Sequence, residues 1–436
     1  MRSKHVTFKL LGLLAVLSLV AAACGDDADD TGDTDVGGDG DGTSTTESES
    51  SGAVGASVDG VLKFGAVLPQ TGSLSAFGPG MQAAVDLAVA DINAAGGVLG
   101  QDIQLTSADS GTNADVANTA VERLLGSEQV DGIIGAASSS VTLLGVIAPT
   151  VGAGRVECSG STTSPEIGAF EDDGLFFRTA PSDIFQGQLL ADTIAADGAS
   201  SVAIANRADD YGQAFADETT EALAAAGAEV VAQVAFDPNG TNFDADVEQI
   251  ASAQPDAIVV IAFPDEGAQF LNTMIEQNVG PAQVPLYVTD GLADATVPTA
   301  VAPENASILD GTKGTRPSIQ TSSDFAERLG VEQTTFAPQF YDCVILLALG
   351  AVAADTDDPE AIAAEVVELS RGGTPCSTFE ECATLLGEGE DIDYEGIVSF
   401  DLSDEGEPDQ GDYDLFEFSG GQISVLDTVT ITAEEE

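Results

Sequence analysis

Ser201-Val-Ala-Ile-Ala-Asn206 and Ala257-Ile-Val-Val-Ile-Ala262 are short apolar runs, each leading through a polar exit into a segment of helical spacing. Such runs, too short for helices and unbroken by polar residues, read as strands buried on both faces. Around them the same alternation continues. Gly212 to Ala226, Phe243 to Ala253 and Glu266 to Val279 have helical spacing, and Ala228 to Phe236 and Leu286 to Val288 read as strands. An earlier series starts with the strand Val61 to Leu68. The helix Gly80 to Ala95 follows, with Met81, Val85, Ala88 and Ile92 on one face, and Gly96-Gly97 stops it. Strand Ile103 to Ser107, helix Asn113 to Leu125 and the buried strand after Asp131 complete it, and a helix starts among Ser138, Ser139 and Ser140. Strands interleaved with amphipathic helices predict parallel sheets covered on both faces. Two series predict an α/β protein of two doubly wound parallel-sheet lobes. Phe325 to Leu329 and Phe340 to Ala354 add helices, and Ile397 to Ile431 reads as antiparallel strands turning at Gly406 and Gly420-Gly421.

The N-terminus carries a different message. Arg2, Lys4 and Lys9 precede an apolar run, Leu10 to Ala23, that is too short to span a bilayer comfortably. Cys24 follows Ala21-Ala22-Ala23 directly. Residues 1–23 read as a bacterial lipoprotein signal, with Cys24 as the lipidated first residue of the mature chain. Residues 24–57, rich in Asp, Gly, Ser and Thr, have little to bury and read as a disordered acidic tether. The acidic positions Asp33, Asp35, Asp39 and Asp41 lack the closing Glu of a calcium loop. The expected location is extracytoplasmic, held to the membrane only by the lipid.

Composition narrows the function. About 380 residues beyond the tether suit two domains. Twelve basic residues against 74 acidic ones give a formal charge of −62, which excludes nucleic acid and anionic membrane surfaces as partners. The single histidine is His5, inside the signal, so the mature chain has no Ser-His-Asp or Cys-His catalysis and no His-ligated metal. There is no phosphate-binding G-x-x-x-x-G-K-[ST] loop. The expectation is a monomeric protein without metal, cofactor or enzymatic activity. Four cysteines remain after Cys24. Cys376 and Cys382 are expected to pair, and Cys158 and Cys343 either form a long-range disulfide or stay as buried thiols.

In open α/β sheets ligands sit beyond the carboxyl ends of the strands. Here those exits are Pro69 to Gly78, Ala136 to Ser140, Ser159 to Glu166, Asn206 to Gly212, Ala262 to Gly267 and Thr289 to Ala293. Rich in Ser, Thr, Gly and Asp with isolated aromatics, they suit a small polar ligand.

Several exits carry motifs: Pro69-Gln-Thr-Gly-Ser-Leu-Ser-Ala-Phe-Gly78, Asp91-Ile-Asn-Ala-Ala-Gly-Gly-Val-Leu-Gly100, Thr162-Thr-Ser-Pro-Glu-Ile167, Phe177-Arg-Thr179, Tyr211-Gly212 and Tyr341-Asp342. From Val61 to the C-terminus the chain resembles the leucine/isoleucine/valine-binding family of ABC-importer substrate-binding proteins, with the type I periplasmic-binding fold. The resemblance implies two lobes joined by three crossings, near Pro181, Gly311 and Glu395. The first lobe would take residues 58–181 and 312–395, and the second 182–311 and 396–436. It implies an amino-acid-like ligand delivered to an ABC permease. Ser139 and Thr163 would bind the ligand carboxylate at a helix N-terminus. The Ser161 carbonyl and Asp290, where the family usually has Glu, would meet the ammonium. Phe77, Tyr211 and Phe336 would form walls, and Ala136 and Ala137 would leave room. Each residue has a plainer role open to it: Ser139 as a helix cap, Thr163 and Asp290 as turn residues, Phe77 and Phe336 as core. Alternative ligands are urea, a short amide or an aromatic acid. A dicarboxylate would need Arg178 or Arg207. A different outlet is a sensor signalling to a membrane kinase.

Overall fold

The computed structural model describes residues 58–432, so the signal, Cys24, the tether and the last four residues lie outside it. Five strands form the first sheet: β1 Lys63–Leu68, β2 Gln104–Asp109, β3 Gly132–Gly135, β4 Val156–Ser159 and β5 Phe176–Arg178. Their order is β2-β1-β3-β4-β5, parallel throughout. The second sheet contains β6 Ser201–Arg207, β7 Glu229–Phe236, β8 Ala257–Ile261, β9 Leu286–Val288 and β10 Lys313–Pro317. A separate two-stranded piece pairs β11 Thr374–Cys376 with β12 Ile392–Tyr394. The hairpin β13 Gln410–Ser419 and β14 Gln422–Thr432 completes the second sheet, whose order is β14-β13-β10-β9-β8-β6-β7. Only that hairpin is antiparallel to its neighbours. The expected α/β architecture of two doubly wound, mainly parallel sheets is therefore present.

The helix Gly78–Ala94 buries Met81, Ala84, Val85, Ala88 and Ile92, the stripe its spacing predicts. It packs against Ala337–Ala354, the one described helix long and apolar enough to cross a membrane. That helix lies in the core, buried from Ala337 through Ala351. A disulfide joins Cys343 in it to Cys158 in β4, with the Cα atoms 5.7 Å apart. Its partners are 185 residues apart, and closing so long a loop contributes up to about 5 kcal/mol in the chain-entropy model. The second disulfide, Cys376–Cys382, closes a short loop, for which the same model gives about 2 kcal/mol.

Two expected boundaries move. The second crossing lies after Pro317, because β10 belongs to the second sheet between β9 and β13. Lys313-Gly-Thr-Arg-Pro317 has no strand signature. Gly314 fits there because a Cβ would meet the Phe416 ring at 2.4 Å. The third crossing falls near Pro408–Gln410 rather than Glu395. Residues 397–409 form no ladder and pack on the first lobe instead. The Asp342 carboxylate accepts Ile397 N and Val398 N at 2.8 and 3.1 Å, and Arg371 Nη1 donates to Leu402 O at 3.1 Å. Gly406 takes a turn conformation at φ 78°, and its carbonyl accepts from Arg178 N at 3.0 Å. The antiparallel strands thus begin at Gln410, not Ile397.

Candidate functional site

The strand exits of both sheets converge on one cleft. Its walls include all seven residues singled out from the sequence: Phe77, Ser139, Ser161, Thr163, Tyr211, Asp290 and Phe336. Leu74, Met81, Ala137, Ser138, Phe263 and Gly291 join them. The free room between these side chains is about 10 Å³, that of roughly one water molecule. The lobes are drawn together across it. Tyr211 N donates to Ser140 Oγ at 3.4 Å, Thr335 Oγ1 to Ala293 O at 3.2 Å, and Gln333 Nε2 to Asp294 Oδ2 at 2.7 Å.

The first lobe supplies hydroxyls. The helical stretch Ser139–Gly152 starts directly after the β3 exit, so its first amides face the cleft. Ser138 holds the capping position and no side chain caps the helix, so Ser139 is not serving as the cap. Ser139 Oγ accepts from Ser164 N at 3.2 Å, tying two exits together, and keeps its proton available to donate. Ser161 Oγ donates to Ala137 O at 3.0 Å. Arg178 stabilises this loop from behind. Its guanidinium donates to Thr162 O and Ser164 O at 3.1 and 2.9 Å and pairs with Glu407.

The second lobe supplies a carboxyl and rings. Asp290, at the exit of β9, is buried, and its Oδ1 accepts from Tyr211 Oη at 2.8 Å and Gln186 Nε2 at 3.2 Å. Burial pushes its pKa up to about 6, against the opposing pull of those two hydrogen bonds. Tyr211 stacks on Phe263 with ring centres 5.3 Å apart, and the Arg207 guanidinium lies 3.5 Å from the Phe263 centre. Arg207 also pairs with Glu266 at 2.5 Å and Asp209 at 2.7 Å. Both arginines considered for a dicarboxylate are therefore engaged elsewhere, and neither lines the cleft. Among the lining residues there is one carboxyl and no basic side chain.

Phe336 lines the cleft beside Leu74 and Met81. Its φ of 64° is in the left-handed region, which for a bulky residue costs on the order of 1–3 kcal/mol. The helix that starts at Ala337 holds it there.

Sequence reading missed Phe263 and Asp183. Phe263 lies within a recognised exit but belongs to none of the quoted motifs. Asp183, just past the first crossing, is fully buried with no hydrogen-bond partner for either carboxyl oxygen among the described residues. It lies behind the cleft, near Thr163, Asp290, Arg178 and Glu218. Burial, then repulsion from Asp290, pushes its pKa well above the ordinary carboxyl range.

A family model described as periplasmic binding protein matches residues 61–377. A chemotactic signal transduction system substrate-binding protein, BasB of Halobacterium salinarum, is 26% identical over 367 residues, covering 80% of this chain and 84% of that one. The leucine binding protein LivK of Thermotoga maritima superposes with a TM-score of 0.71 at 20% identity, covering 85% of this chain and 99% of that one. A solute binding protein of an R. palustris ABC transporter, in complex with 4-hydroxybenzoate, gives 0.70 at 18%, covering 86% and 98%.

Proposed function

The chain belongs to the periplasmic binding protein family, and from that premise we propose that it is a receptor for an α-amino acid or close analogue. Members of this family are extracytoplasmic solute receptors rather than enzymes, and the finer reading rests on the cleft. The observation that carries it is the polarity of the walls. Ser139, Thr163 and a helix N-terminus stand on one side and the Asp290 carboxyl on the other, with no lining cation. A zwitterion answers both poles: hydroxyls and free amides suit its carboxylate, and a buried carboxyl suits its ammonium. The Ser161 carbonyl would share the ammonium. Phe77, Tyr211 and Phe336 would enclose the side chain.

With so little room between closed lobes, ligand enters when the lobes part about the three crossings. Binding then favours the closed form by its preference for that form. An ABC permease reads the closed shape. Calorimetry against the twenty amino acids should find a ligand in the micromolar range or tighter, about −8 kcal/mol or better. No heat with any of them, together with heat from urea or an aromatic acid, would overturn this reading.

The anchor in this proposal is a lipid on Cys24, whose segment lies outside the described residues. Cys24→Ala should leave an unprocessed precursor in an expressing bacterium, whereas a processed, released variant would refute the anchor. The similarity to BasB supports a second outlet, ligand sensing through a signalling partner. A pull-down separates the two outlets by capturing either permease subunits or a membrane signalling protein.

A further inference from the structure

Behind the cleft, the three crossings line a second and wider cavity, open to solvent on one side and about 310 Å³ in volume, within the size range of small-molecule sites. We propose that this cavity binds a small neutral polyol and that its occupancy favours the closed lobes.

The walls carry the chemical argument. They present Thr179, Ser318, Gln320, Gln339, Gln410 and Thr428; the three hydroxyls donate to Gln339 O and Asp414 and so offer acceptors, while the amides of Gln320 and Gln410 donate and accept, all without charge. In a chain with 74 acidic residues, the only carboxylate on this wall is Asp412, which already accepts from the Thr430 hydroxyl. Gln339 is buried, and its Nε2 donates to Ser318 O at 3.2 Å. Its Oε1 has no partner among the described residues. That oxygen is shielded from solvent, so what the wall offers an occupant is its exposed uncharged amides and hydroxyl oxygens. Phe400 and Pro181 add apolar faces for the carbon skeleton. An anionic ligand would find no basic side chain on this wall.

Position gives the consequence. Pro181, Ser318 and Gln410 belong to the first, second and third crossings, so an occupant touches every segment that must flex. Front and back of a hinge move oppositely: parting the lobes at the cleft brings their backs together. The cavity exists with the cleft closed, so its occupant resists opening. Affinities at the two sites are then coupled reciprocally.

The test uses glycerol, glucose and myo-inositol on the purified protein, followed by saturation-transfer NMR and calorimetry. Melting temperature is not the readout, because polyols stabilise proteins generally by exclusion. At least one probe should bind saturably with a Kd in the low millimolar range or tighter. Ser399→Trp and Gln320→Trp, both at exposed positions of the cavity wall, should each weaken that binding at least tenfold while the fold survives. The probe should not compete with the cleft amino acid, and should tighten its binding by about 5-fold or more. No saturable binding, binding indifferent to both tryptophans, or no coupling to the cleft would each overturn the proposal. The polyol arms need no cleft ligand, so they decide the cavity even if the amino-acid reading fails.

Discussion

On the first lobe's side of the cleft stand Ser139, Ser161 and Thr163; on the second lobe's side stand Asp290, Tyr211 and Phe263. The first group is neutral, and its serine hydroxyls are bonded into neighbouring backbone, to Ser164 N and Ala137 O. The second group is preassembled by side chains. Tyr211 and Gln186 fix one oxygen of Asp290, and Arg207 backs the Phe263–Tyr211 stack. The difference divides the labour. In the proposed reading the second lobe discriminates charge, and the first lobe supplies geometry and many modest contacts. In that reading the first lobe answers the carboxylate and lends one carbonyl to the ammonium, while the one carboxyl among the lining residues belongs to the second lobe, so capture uses both.

The sharpest way to break this comparison is at Asp290. Asp290→Ala should cost about 2–5 kcal/mol of amino-acid binding, because it leaves a desolvated ammonium without an anion. Asp290→Asn should cost nearly as much, since it keeps the shape and loses the charge. Ligand-free melting should hold or rise slightly, because either change removes the repulsion of Asp183. Binding within threefold of wild type for both variants would reduce Asp290 to a turn residue. On the first lobe, Ser139→Ala should cost about 1–2 kcal/mol, the scale of one hydrogen bond to a charged group. An effect equal to that of Asp290→Ala would erase the proposed division.

The smallest effect concerns pH, and it separates binding from stability. Burial raises Asp290 to about 6 and Asp131 and Asp342 to about 7, from 3.8. Each holds its proton more tightly folded than unfolded. Its stabilising contribution is complete below 3.8 and is lost as pH rises through 6 to 7. The ligand-free protein should therefore melt several degrees lower at pH 8 than at pH 5. The formal charge of −62 pushes the same way, so Asp342→Asn is the control that isolates one group by flattening part of the slope. Affinity should run oppositely and weaken as pH falls below about 6, where Asp290 takes up its proton. Parallel pH trends for melting and affinity would sink the assignment of Asp290 to the ammonium.

The long apolar runs were legible because burial on both faces leaves them uninterrupted. Six of the seven cleft residues were legible because they lie at the strand exits, Phe77, Thr163 and Tyr211 within motifs there; Phe336 came only from the family resemblance. What stayed hidden depends on partners far along the chain. Lys313–Pro317 becomes a strand only because β9 and β13 flank it and Gly314 admits Phe416. Residues 397–409 looked like strand, but Asp342 and Arg371 satisfy their backbone from the first lobe. Asp183 carries no local sign of burial, and Phe263 is an ordinary aromatic until Tyr211 and Arg207 sandwich it.

The core helix Ala337–Ala354 has a consequence for how the protein is made. Before it is packed, this segment has the length and apolarity of a membrane span. A chain threaded across a bilayer therefore faces a partition: lateral escape of this segment into lipid, or capture by the strands of the first lobe. Cys343 lies within the segment, and its bond to Cys158 forms under oxidising conditions. Once closed, it ties the span-like segment to β4, so the bond that stabilises the first lobe also holds this helix to its sheet.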